Sequence, residues 1–132
     1  MPPTNIEVVA QAYEALARAD LDGFLGLVHS DVVLTQDDAL PWGGRHVGYD
    51  GVTHFAMSLV GTIESAVSTE ALFQAGDNVI QYGRTRGTVR TSGASFDIPE
   101  CHVWTVRHGL VTEMAFFIDT GAMLAALAMH ST

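Results

Sequence analysis

The segment Gln36–Gly48 reads QDDALPWGGRHVG and gathers two adjacent acids, a tryptophan, an arginine and a histidine into a connector between two apolar stretches. Connectors ordinarily need only turn residues. A pair of carboxylates is raw material for general acid–base chemistry, in which a positioned group takes up a proton and gives it back. Neighbours on an extended chain point to opposite faces, so only one of Asp37 and Asp38 can reach a given interior. Asp38 shares the face of Gln36 and is the better candidate; turn formation and solvation are the simpler account of both acids. Trp42 follows Pro41 and precedes two glycines, whose backbone freedom suits a mobile loop. It either roofs a pocket and stacks on a flat ligand or plugs the pocket's open end. Arg45 and His46 read as surface residues.

A second polar group is His102, Trp104 and Glu113, with Phe117 nearby. If His108-Gly109 is a two-residue hairpin turn, Trp104 faces Glu113, His102 faces Ala115 and Ile98 faces Asp119 on one side. Cys101, Val103, Met114, Phe116 and Ile118 then share the other side, which is apolar apart from the thiol and reads as a pocket wall. The side holding His102, Trp104, Glu113 and Phe117 is too apolar for a free surface and reads as a homodimer interface, with a catalytic His–Glu pair as the alternative. A bulge would reverse this phase, and Pro99 permits one. Tyr82, Arg84 and Arg86 alternate along one strand; cross-strand pairing of the arginines with Glu64 or Glu70 is the simpler account, with pairing to Asp119 or holding an acidic ligand group as the alternatives. The six histidines lack H-x-x-x-H spacing, and there is no G-x-G-x-x-G, P-loop or G-x-S-x-G motif. Neither a metal nor another cofactor is expected.

These residues sit in a chain of 132, which suits one domain, residues 1–132, with one core. Nearly half the residues are apolar (48%), ample for that core. Six arginines, no lysine and fifteen acids give a net charge of −9, which argues against nucleic-acid binding. The single cysteine, Cys101, excludes an intramolecular disulfide. No apolar run approaches membrane-spanning length and no secretory signal is evident, so a cytoplasmic protein without membrane partners is expected.

The positioning elements follow from periodicity. Thr4 to Ala19 reads as a helix opened by the capping-box pattern Thr4-x-x-Glu7. Asp20 caps a shorter one carrying Leu21, Phe24, Leu25 and Val28. Asp31–Gln36 is a strand, and Asp50 is placed to cap a third helix after the connector. From Ile63 the period changes to two, and long strands follow from Val79 to Arg90, Ser95 to Arg107 and Leu110 to Ile118. Pro99 predicts an edge, bulge or bend. Asp119 or Thr120 opens a last helix reaching Met129. The order α-α-β-α-β-β-β-β-α, with long antiparallel strands gathered late, is an α+β pattern.

Three segments carry a resemblance. VVAQAYEALARADLDGFLGLVHSDVVL resembles the start of the nuclear-transport-factor-like superfamily, which includes ketosteroid isomerases and SnoaL-like polyketide cyclases. LPWGGRHVGYDGV resembles the loop-to-helix segment of SnoaL-like proteins, and HVWTVRHGLVTEMAFFIDTGAML their last hairpin and tail. The resemblance implies a curved sheet wrapped around helices as a cone with an apolar pocket, dimerising through the outer sheet face. On the steroid-isomerase pattern the base falls on Gln36, which cannot take a proton. The protonated acid falls on Cys101, and the tyrosine on or beside Ala12, one position from Tyr13. That chemistry is therefore not expected. SnoaL-like cyclases place an aspartate at the end of the last strand, here Asp119. In an apolar pocket its carboxylate would act as a base; otherwise it caps the helix beginning near Thr120. The resemblance thus implies proton-transfer chemistry (isomerisation, cyclisation or dehydration) on a small apolar carbonyl-containing or cyclic molecule. Asp119 is the first candidate base and Asp38 the second. Tyr13, Gln36, Trp42, Phe55, Tyr82, Cys101, Met114, Phe116 and Ile118 are the expected lining. A non-catalytic protein that holds a small hydrophobic ligand or acts as a scaffold is the alternative.

Overall fold

The structure, a computed structural model, describes residues 2–129. Helix α1 (Asn5–Ala17) opens at the expected capping box: Glu7 N–H donates to Thr4 Oγ1 at 3.2 Å and Thr4 N–H donates to Glu7 Oε1 at 3.1 Å. Its buried stripe is Val8, Val9, Ala12 and Ala15. Asp20 caps α2 (Leu21–Leu25) by accepting from Gly23 N–H at 2.9 Å. Strand β1 (Val28–Gln36) follows, and the connector itself contributes a short strand, β2 (Gly44–Val47), paired antiparallel to β1. Helix α3 (Gly48–Thr62) starts earlier than Asp50 suggested, from Val47 without a side-chain cap. Asp50 lies inside its first turn, where a negative charge favours the positive helix end.

Four strands complete the sheet: β3 (Ile63–Ala75), β4 (Asn78–Val89), β5 (Ser95–Arg107) and β6 (Leu110–Ile118), before the closing helix α4 (Thr120–Leu127). The spatial order is β2-β1-β6-β5-β4-β3, with β1 and β6 parallel and every other pair antiparallel. This is the expected α+β architecture, a curved mixed sheet whose inner face packs on α1, α2 and α3. The core joins Val8, Val9 and Ala12 of α1 and Phe24 of α2 to Val79, Trp104, Val111 and Met114 of the sheet. No described helix is long and apolar enough to cross a membrane.

Two features set which side chains enter this core. Pro99 lies in a central strand, yet Glu100 is the last β5 residue paired with β6, opposite Ile118. The Pro99 carbonyl accepts from Asp119 N–H at 3.3 Å, just past the end of β6, so its missing N–H costs the ladder no bond. The second feature is a bulge in the β5–β6 hairpin. His108 and Gly109 both have positive φ (52° and 79°), as a two-residue type I′ turn requires. Arg107 pairs with Leu110 and Val106 with Val111, but Thr105 pairs with Glu113. Thr112 is therefore the extra residue, and its hydroxyl donates to the Thr105 carbonyl at 3.3 Å.

From there on the pairing differs by one residue from a regular hairpin: Trp104 faces Met114, His102 faces Phe116 and Glu100 faces Ile118. This corrects the expected outward placement of His102 and Trp104, which point into the core. Tyr82 and Cys101, expected in the lining, pair with each other, and Cys101 pairs with the exposed Phe117, on the outer face.

Deleting Thr112 removes the phase change and drives either the core set or the turn out of register. Urea denaturation is expected to show a loss above ~4 kcal/mol or no folded state, whereas Thr112→Val loses ~1 kcal/mol or less. A deletion variant of near wild-type stability refutes the role given to the bulge.

Candidate active site

Along β5 the inward positions are Phe96, Ile98, Glu100, His102, Trp104 and Val106, all buried. Two ionisable side chains thus sit in the middle of an apolar row. The Glu100 side chain is 1% exposed and its Oε2 lies 3.3 Å from His102 Nε2. On the other side of the imidazole, Nδ1 is 2.7 Å from the Tyr13 hydroxyl, which α1 supplies. Trp104 Nε1–H donates to the same hydroxyl at 2.9 Å. Tyr13 and His102 are nearly parallel (12°), and Phe116 packs on the imidazole with ring centres 4.4 Å apart. Phe55 from α3 extends the aromatic wall behind Phe116 at 5.9 Å. Gln81, opposite His102 on β4, is fully buried; its amide N–H donates to Thr69 Oγ1 at 3.1 Å.

Burial governs the electrostatics. It pushes the Glu100 carboxyl up to about 7, with hydrogen bonding from the Gln81 side chain pulling the other way. It pushes the His102 imidazole down to about 3, so His102 is neutral at physiological pH. It also raises the Tyr13 phenol, against the opposing effect of the Trp104 hydrogen bond. A protonatable carboxyl poised near neutrality beside a neutral imidazole is an arrangement able to take up and return a proton. Among the described residues, no group of three or more His, Cys, Asp or Glu side chains is placed to hold a metal ion.

The expected site residues divide. Tyr13, Phe55, Met114 and Phe116 line the same interior as Glu100 and His102, and Ile118 is half-buried at its end. Gln36 and Trp42 pair with each other instead: Trp42 Nε1–H donates to Gln36 Oε1 at 3.0 Å, and the indole is buried. The connector is held as a shaped plug. Asp37 forms a turn by accepting from Ala39 N–H at 2.9 Å, and His46 Nε2 lies 3.1 and 3.0 Å from the carbonyls of Trp42 and Gly43. Asp38 and Arg45 are exposed. Asp119 is exposed too and caps α4, accepting from Ala122 N–H at 3.0 Å. On the outer face Asp97 ties Arg84 and Arg86 together at 2.6 and 3.1 Å, in place of Glu64 or Glu70.

Glu100 and Gln81 are interior polar groups absent from the expected lining. The signal for Glu100 was present: Phe96 and Ile98 before it and Trp104 and Val106 after it hold one period-two apolar face on which Glu100 and His102 also fall. A concavity of about 430 Å3 lies between the ends of β1 and β6, lined by Thr35, Gln36, Asp37, Phe116, Phe117, Ile118 and Thr120; it shares Phe116 and Ile118 with the wall around Glu100 and His102, which do not themselves line it. A larger concavity of about 790 Å3 is on the outer sheet face, around Val33, Val103, Thr105 and Glu113.

A family model for the SnoaL-like domain matches residues 9–114. No curated protein matches the chain by sequence. Among solved structures, an NTF2-like protein of unknown function from Burkholderia pseudomallei superposes with a TM-score of 0.88 at 27% identity, over 95% of this chain and 98% of that one. An NTF2-like protein from Burkholderia thailandensis gives 0.88 at 28% identity, over 96% and 99%. TerC co-crystallised with polyporic acid gives 0.87 at 24% identity, over 95% and 98%, a likeness of fold alone.

The shifted groups make stability depend on pH in a way that single variants expose. From about pH 4.5 to 7 the folded chain keeps the Glu100 proton while the unfolded chain has lost it, so this contribution falls as pH rises. From about pH 6.5 down to 3 the unfolded chain protonates His102 while the folded chain does not, so that contribution falls as pH drops. The two oppose each other where they overlap. Glu100→Gln should therefore gain stability with rising pH between about 4.5 and 6.5, and His102→Gln should lose it between about 4.5 and 7. Urea midpoints across that range measure both; slopes of the same sign in the two variants contradict the assignment.

Proposed function

The chain belongs to the SnoaL-like domain family, and from that premise we propose that it is an enzyme that moves a proton on a small, mostly apolar, carbonyl-containing or cyclic molecule. The observation that supports this reading best is the Glu100–His102 contact, two buried ionisable groups at 3.3 Å inside an aromatic cage. In the proposed reaction a substrate enters by the concavity at Phe116 and Ile118 and lies against the Phe116 and Phe55 rings. The ionised Glu100 carboxylate takes a proton from a carbon next to the carbonyl, and the C–H electron pair moves into the enolate. The carboxylic acid then returns that proton, or one taken from water in its place, at the same or another carbon, or to a leaving hydroxyl. Those outcomes correspond to exchange, isomerisation or dehydration; capture of a second carbonyl by the enolate gives cyclisation.

The base in this proposal is Glu100. Asp119 and Asp38, exposed and in one case bonded to a helix end, serve as matched comparisons. The reaction is readable without knowing the natural substrate. Protein is incubated in D2O with a panel of cyclic ketones, diketones and hydroxyquinones, including polyporic acid, and carbon-bound deuterium is followed by NMR. Wild type is expected to accelerate exchange in part of the panel. Glu100→Gln should lose at least ~10²-fold, with Asp119→Asn and Asp38→Asn within a few-fold of wild type. If Asp119→Asn shows the larger loss, Asp119 is the base. Ligand binding without exchange in any compound leaves a binding protein in place of an enzyme.

The outer sheet face supports a homodimer. Phe73, Tyr82 and Phe117 are 49%, 45% and 57% exposed there, beside Cys101 and the larger concavity. Trp104, being fully buried within one chain, takes no part. Sedimentation at micromolar concentration should give twice the chain mass, and Phe117→Glu should shift it to the monomer, since a charge would be buried unpaired. A monomeric wild type rules this pairing out.

A further inference from the structure

The hydrogen bonds around Tyr13 form a directed chain. Trp104 Nε1–H is a donor and nothing else, so the Tyr13 oxygen accepts at 2.9 Å. The same oxygen lies 2.7 Å from His102 Nδ1, which requires one proton between them. Two arrangements provide it. In one, imidazole Nδ1–H donates to the phenol oxygen, which then accepts twice while its own O–H has no other partner among the described residues. In the other, the phenol O–H donates to a bare Nδ1, and every proton in the chain is used. Leaving a largely buried hydroxyl proton unbonded is the costlier choice. With Nδ1 accepting, the neutral imidazole carries its proton on Nε2, 3.3 Å from Glu100 Oε2.

We propose that Trp104 and Tyr13 are positioning residues that hold His102 in its Nε2–H tautomer, so that the ring proton lies on the Glu100 side, near Oε2 though not aligned as a hydrogen bond, and Glu100 is the only proton acceptor of the pair. The proposal deepens the enzymatic reading above and rests on it for its consequence. The tautomer itself is a property of the resting protein. The positive end of the Nε2–H bond then favours the Glu100 carboxylate as it forms, while the Nδ1 lone pair stays engaged with Tyr13. Packing fixes this geometry, since Trp104 is fully buried, His102 is 8% exposed, and Phe116 closes the other side of the imidazole. The Tyr13 and Trp104 rings also meet edge to face at 5.2 Å, which aims the indole N–H at the phenol oxygen.

The test is imidazole NMR on the full-length protein labelled with 15N, using long-range proton–nitrogen correlations, with His102→Gln identifying the His102 signals. Wild type at pH 7 is expected to show a pyrrole-type Nε2 and a pyridine-type Nδ1. Tyr13→Phe removes the donor to Nδ1 and should give a mixture of tautomers or the Nδ1–H form. Trp104→Phe removes the donor that orients the phenol and lets its O–H turn away from Nδ1, which should shift the balance the same way and keeps the test open if Tyr13→Phe does not fold. A wild-type His102 with its proton on Nδ1, or protonated at both nitrogens, overturns the proposal. So does an unchanged Nε2–H pattern in both variants, which would mean that Glu100 alone sets the tautomer. None of these readouts uses a substrate, so a protein inactive toward the whole deuterium panel but showing the predicted tautomers refutes the enzymatic reading and leaves this one standing.

Discussion

One extra residue in β6 governs the interior. A strand shows alternate faces, so inserting Thr112 opposite the Thr105–Val106 step turns over every side chain beyond it relative to a regular hairpin. Through that shift Trp104 meets Met114, His102 meets Phe116 and Glu100 meets Ile118 on the inner face. Without it the inner row of one strand would meet the outer row of the other. The type I′ turn at His108-Gly109 sets the pairing at the tip, the bulge resets it, and the Thr112 hydroxyl bonds the kink to the Thr105 carbonyl. The packing of α1 depends on the same choice, because Tyr13 reaches His102 and Trp104 only when both point inward.

The resulting interior is costly in part and cheap in part. Fully buried Trp104, Met114, Val79 and Val111 supply apolar area, at about 1.5–3 kcal/mol for a large aliphatic side chain. Glu100 and Gln81 go the other way: Glu100 Oε2 and Gln81 Oε1 find no well-aligned donor among the described residues. A lone buried polar atom of this kind costs about 1–3 kcal/mol. The molecule limits the cost by keeping His102 neutral and by raising the Glu100 carboxyl toward its protonated form. Polar groups left short of partners in a well-packed core are the pattern expected where function opposes stability.

The connector illustrates the opposite case, a stretch rich in reactive residue types used for shape. Asp37 makes a turn, His46 gathers two carbonyls, and Gln36 takes the indole N–H. Gly43 is required because a Cβ there would lie 1.8 Å from the Asp37 carbonyl oxygen. The loop folds onto β1, adds β2 to the sheet edge and delivers the chain to α3, which supplies Phe55 to the aromatic wall.

The amino-acid sequence by itself determined the local elements. The Thr4 capping box, the Asp20 cap, the His108-Gly109 turn and the α+β order are all as the residues indicate, because each depends on contacts within a few positions along the chain. The resemblance of three segments also sufficed for the family. Only the tertiary structure decided the site. A period-two pattern defines two faces but not which is inside when both are largely apolar, as in β5 and β6. A single bulge residue has no composition of its own to announce it. Asp119 stood at the end of the last strand with either role open, and the helix beginning at Thr120 engages it. Glu100, beside a proline and a cysteine, shares the period-two face of His102, but that face is buried only because β4 and β6 flank β5 in the sheet and α1 packs against it, a long-range arrangement that no local spacing encodes.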